Sequence, residues 1–149
     1  MASDVVTIKA EIKTALEAIV ESGGSTRKIK VVYNYPESKP SGYPYSYINY
    51  AGDESEVLTN TEDAVEYIFE INTLQEKFED LKGRENAEAT AEAISYEINE
   101  KLRSLNKMGL ADVLRVMPIR TEKSYVEGNT RIALKTVVRV QTVETIISA

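Results

Sequence analysis

Between residues 28 and 50 the chain reads KIKVVYNYPESKPSGYPYSYINY, and this stretch restricts the fold more than any other. Three of the four prolines (Pro36, Pro40, Pro44) and six of the nine tyrosines (Tyr33, Tyr35, Tyr43, Tyr45, Tyr47, Tyr50) fall within it. Proline fixes φ and has no N–H to donate, so neither a helix nor a sheet ladder can run through 36–44. On both sides β formers take over. Ile29, Val31 and Tyr33 alternate with Lys28, Lys30 and Val32, the two-residue period of a strand, and 45–50 is rich in aromatic and β-branched residues. The expectation is a strand, a stiff exposed loop and a return strand, with Tyr33 and Tyr47 turned into the core. Such a loop suits contact with another surface better than a reaction.

The remaining patterns supply the layers. Ile8, Ile12, Ala15, Leu16 and Ile19 form one helical stripe over residues 4–21, capped by Ser3 or Asp4 and ended by Gly23 and Gly24. Residues 51–63, AGDESEVLTNTED, carry five acids without strand alternation and read as an exposed acidic loop. Val65, Tyr67, Phe69 and Ile71 give the next strand one buried face. A charged connector over 75–86 leads to a second helix over 87–105, where Ala87, Ala91, Ile94, Ile98, Leu102 and Leu105 advance by threes and fours and Gly109 follows as a stop. On its polar face Glu97 and Lys101 are spaced to pair.

Residues 113–120 read as a strand that Pro118 pushes to a sheet edge, and 121–130 as a loop with a turn at Gly128 and Asn129. The last strand, 131–145, carries Ile132, Leu134, Val138 and Val140 on one face. Fifteen residues at about 3.4 Å each reach roughly 50 Å, so the strand is expected to bend or to project toward a neighbouring subunit. The order α-β-β-β-α-β-β implies an α+β fold: a mainly antiparallel sheet of about five strands with both amphipathic helices on one face. At 149 residues this is a single domain, 1–149, able to bury roughly two-thirds of its unfolded surface.

The residues that are missing narrow the function. Cysteine and histidine are both absent, which removes thiolate nucleophiles, the usual catalytic triads, HExxH zinc sites and the commonest general base. Neither phosphate-loop pattern is present. Asp53, Glu54 and Glu56 could suggest a calcium loop, but the twelve-residue spacing and its central glycine are lacking, so a solvated segment is the better reading. Glu97 and Glu100 share a helix face without matching ligands on another helix. No catalytic, cofactor or metal site is therefore expected, and no small-molecule substrate. The net charge of −6 disfavours tight binding of nucleic acid, although DNA could pass nearby without adhering. No apolar run approaches the ~20 residues of a membrane span, and the first residues lack a secretory pattern, so synthesis in the cytoplasm is expected.

The order of elements resembles the small tail-terminator, or tail-completion, proteins of long-tailed bacteriophages and related viruses. The likeness lies in the segment Ile12-Lys13-Thr14-Ala15-Leu16, the strand ending VVYNYP, the GYPYSYI segment, the acidic stretch, Tyr67-Ile68-Phe69, the helix ending NEKL and the long last strand. The charged connector at 75–86 departs from it. The resemblance implies a virion protein that forms a homo-oligomeric ring, usually of six copies, at the head-proximal end of the tail. The ring would stop polymerisation of the tail tube protein and dock the head–tail connector while DNA passes through its lumen. Expected contact residues are Tyr35, Pro40, Tyr43 and Pro44 in the loop, Asp53, Glu54 and Glu56 in the acidic stretch, and Arg131, Lys135 and Arg139 in the last strand. A head-completion or connector protein is the nearest rival. A small ligand-binding regulatory α+β domain, which needs a closed apolar pocket, is a second alternative.

Overall fold

Among the described residues, two helices lie across one face of a five-stranded sheet and leave the other face without a helix. The structure is a computed structural model that describes residues 4–20, 24, 26–37, 39–57, 62–105, 113–128 and 130–145, with backbone alone for 4, 56–57, 62–63, 113–114 and 144–145. The elements are α1 (Asp4–Glu17), β1 (Val31–Tyr33), β2 (Tyr45–Val57), β3 (Glu62–Leu74), α2 (Leu81–Ser104), β4 (Val113–Val126) and β5 (Arg131–Thr145). The α+β class and the order α-β-β-β-α-β-β follow from the sequence patterns as expected.

Across the sheet the order is β1-β2-β3-β5-β4. Three of the four pairings are antiparallel; β1 and β2 run parallel, with Val31 opposite Tyr45 and Tyr33 opposite Tyr47. The expected return strand is thus corrected. The proline-rich loop does not turn the chain back but carries it along the length of β1, so that it enters β2 in the same direction. Lys30 N donates to Pro44 O at 2.7 Å and joins the two ends of this detour.

The apolar stripes do what their spacing requires. Ile8, Ile12, Leu16 and Ile19 of the α1 segment and Ile94, Ile98 and Leu102 of α2 meet Val32, Ile48, Val65, Phe69, Ile71, Val138 and Val140 of the sheet in one core. Burying each such side chain contributes about 1.5–3 kcal/mol. A smaller cluster of Ala91, Ile132 and Leu134 continues under the start of α2. Within the core layer Ser46 and Thr73, opposite each other and fully buried, share a hydrogen bond of 2.7 Å that satisfies both hydroxyls.

Several boundaries differ from the sequence expectation. The segment 51–57 is strand, not loop: β2 continues past a bulge between Tyr50 and Gly52, where Gly52 adopts φ +136°, a conformation open to glycine. Residues 121–126 likewise extend β4, and the turn that follows places Glu127 and Gly128 at φ 54° and 69°. Helix α1 stops at Glu17, well before the glycines, and its chain returns through a bridge between Val20 and Arg27. Helix α2 begins six residues early because Asp80 caps it, accepting from Gly83 N at 2.6 Å. A Cβ on residue 83 would sit 3.0 Å from that carboxylate oxygen, so glycine fits the cap. Gly109 and Asn129 lie outside the described residues.

β5 does not project. It pairs along its length with β3 on one side and β4 on the other, with Thr145 opposite Glu62 and Arg131 opposite Val126. Its length is absorbed by two neighbours almost as long, of 13 and 14 residues, which leaves it little free edge among the described residues.

Candidate interaction surfaces

Strand alternation divides the functional candidates between two faces. Val32, Ser46, Ile48 and Phe69 point toward the helices, so Tyr33, Tyr45, Tyr47 and Asn49 point to the open face with Glu66, Glu70, Lys135 and Arg139. Here the aromatic assignment needs correcting. Tyr33 and Tyr47 are half-buried, whereas Tyr45 is the buried ring, in edge contact with Tyr33 at 6.2 Å and Tyr43 at 5.4 Å. Burial raises the Tyr45 pKa above its ordinary value, with the neighbouring Tyr43 adding to the effect.

The expected contact residues separate into three groups. Tyr43 and Arg131 belong to one internal cluster. The guanidinium lies 4.2 Å from the Tyr43 ring centroid and donates from Nη1 to its hydroxyl at 2.8 Å. Arg131 Nε is 3.0 Å from Glu127 Oε2, off the axis of its N–H, so that pairing is ionic. Only 7% of Arg131 is exposed, and it braces the tyrosine loop against β5. Pro44 follows a cis peptide bond beside this cluster, and Pro40 is half-buried.

Lys135 and Arg139 form the second group. They are partly exposed on the open face and matched by acids of β3: Lys135 Nζ is 3.5 Å from Glu70, and Arg139 Nη1 is 3.7 Å from Glu66. Asn49 and Gln141 donate to the same two carboxylates, at 3.4 and 2.7 Å. This face balances its own charge, and each exposed pair is worth about 0–1 kcal/mol.

The third group stands apart from these two clusters. Tyr35 is 68% exposed at the mouth of the loop, with Lys9 Nζ 4.2 Å over its ring. Asp53 and Glu54 are exposed on β2, where Tyr50 donates its hydroxyl to Asp53; this bond raises the Tyr50 pKa. Glu56 continues the same strand.

Two features escaped the sequence reading. Lys9 is a charged residue outside the apolar stripe of α1, yet it is 7% exposed, donates to Asn34 O at 2.9 Å and has its pKa lowered by burial. Its place four residues after Val5 and three before Ile12 is the signal that sets it at the rim of the apolar stripe. Glu97 pairs with Lys28 at 2.6 Å rather than with Lys101, and Glu100 with Arg103 at 3.6 Å, so the two carboxylates serve different cations. Among the described residues no group of three acidic, histidine or cysteine side chains could hold a metal ion, and no helix is long and apolar enough to cross a membrane.

No family model matches the sequence, and no curated protein matches it. Among solved structures the chain is similar to one from the "Virion of native gene transfer agent (GTA) particle", with a TM-score of 0.62 and 15% identity over 95% of this chain and 98% of that one. The likeness is one of fold, and it runs from end to end.

Proposed function

We propose that this chain is a structural protein of a virion or phage-like particle and, within it, a tail terminator. In this reading its copies close into a ring, of about six as the family resemblance implies, at the head-proximal end of the tail, where they halt growth of the tube and receive the head–tail connector. The observation that carries the reading is the end-to-end likeness of fold to a chain of a phage-like particle, at 95% and 98% coverage. It agrees with the resemblance in order of elements, and the surfaces fit an assembly role: an exposed Tyr35 beside the proline loop, an acidic strand end and a charge-matched open face. The work would be done by shape. A ring multiplying the net charge of −6 would let DNA pass without adhering.

The test is to add the purified protein to tail tube protein while it polymerises. A terminator shortens the tubes and is found by electron microscopy at one end only. Tubes of unchanged length, with the protein free in solution, contradict the reading, and binding to head connectors alone favours a head-completion protein.

A further inference from the structure

Among the described residues the sheet has two unpaired edges, and they carry opposite charge. On one side it ends at β4. On the other, β1 covers β2 only from Tyr45 to Tyr47, so from Ile48 onward β2 is itself an edge among the described residues. That edge holds Asp53, Glu54 and Glu56 over residues 51–57, with no lysine or arginine. The β4 edge holds Arg115, Arg120 and Lys123 with one acid, Glu122, which pairs with Arg120 at 3.3 Å, and all four side chains are exposed. In a chain of net charge −6 this is a local reversal of sign. A bulge between Pro118 and Arg120 also leaves Ile119 47% exposed at the same edge.

Proline, bulges and charge are the devices by which edge strands resist indiscriminate pairing. They act by sign and shape, so they still admit a complementary partner. Like edges cannot meet, because each would set equal charges against each other. Unlike edges can, and both are present on every copy, three strand spacings or about 14 Å apart across the sheet. A contact between two different patches of one chain is head-to-tail, the arrangement that closes rings.

We propose that the acidic β2 edge of one copy docks against the basic β4 edge of the next, with charge and Ile119, rather than an unbroken backbone ladder, defining the contact. This rests on the ring reading above and assigns its interface. Two variants test it: Asp53→Lys with Glu54→Lys makes both edges basic, and Arg115→Glu with Lys123→Glu makes both acidic. Each alone is expected to remain monomeric by native mass spectrometry at concentrations where the unmodified chain forms its ring. Mixed, they are expected to co-assemble in equal numbers, and one chain carrying all four changes re-forms the ring by itself. Circular dichroism checks folding; should a double variant unfold, Glu54→Lys and Lys123→Glu taken singly carry the same comparison. If the ring forms with either edge reversed, or if neither mixing nor the fourfold exchange restores it, this interface is wrong while the ring stands. A monomeric unmodified chain overturns both.

Discussion

Arg131 and Tyr43, 88 residues apart, hold each other: the guanidinium donates to the phenol at 2.8 Å and covers the ring at 4.2 Å. The contact ties the start of β2 to the start of β5 across the end of β3. It makes Tyr43 part of the fold's own bracing rather than a free contact. Tyr43→Phe removes the hydroxyl and leaves the arginine short of one partner, at a cost of about 0.5–1.5 kcal/mol. Urea denaturation should show a lower midpoint with an unchanged slope.

Asp80 sets where α2 begins. Asp80→Ala removes the acceptor for Gly83 N and should destabilise the protein by about 1 kcal/mol. Hydrogen exchange should quicken over residues 81–86 and remain slow around the fully buried Ile98.

Phe69 is fully buried at the centre of the sheet, between Tyr50 and Val138 on the flanking strands. Phe69→Ala should cost about 3–5 kcal/mol. A loss below about 1 kcal/mol in denaturant melts would mean that this ring is not in the core.

Glu88 accepts from the Tyr125 hydroxyl and has Arg84 nearby, so its carboxyl pKa is lowered, first by the tyrosine bond. A carboxyl whose folded pKa lies below its unfolded value adds stability that is complete above the ordinary 4.5 and is lost as pH falls through the folded value. The unmodified protein should therefore exceed Glu88→Gln in stability at neutral pH, and the gap should close as the solution is acidified below 4.5. Thermal melts of both proteins across that range check it.

The layers were legible in the sequence because period dictates burial. Both helical stripes and the alternation of Val65, Tyr67, Phe69 and Ile71 lie where their spacing puts them. The reading broke where period breaks. The bulge at Gly52 inverts the alternation of β2, and beyond it acids such as Asp53 and Glu54 stand exposed, so a strand looked like a loop. Parallel pairing of β1 with β2 depends on where the proline loop lands, which no local pattern encodes. Arg131 was legible as a charge but not as a buried one, because its partners Tyr43 and Glu127 converge on it only in the folded chain. Opposite charge at the two sheet edges likewise emerges only from the strand order.

Tyr35 provides a surface counterpart. At 68% exposure its replacement by serine should change stability by no more than about 0.5 kcal/mol. If the loop mouth is a contact, the same change should weaken assembly, read as a rise in the concentration needed to form the oligomer.

The central claim is that copies of this chain assemble with one another, and native mass spectrometry of the unmodified protein at micromolar concentration tests it most directly. The account predicts one closed oligomer of about six copies. A monomer that persists as concentration rises, holding a small molecule in a closed apolar pocket, would contradict it.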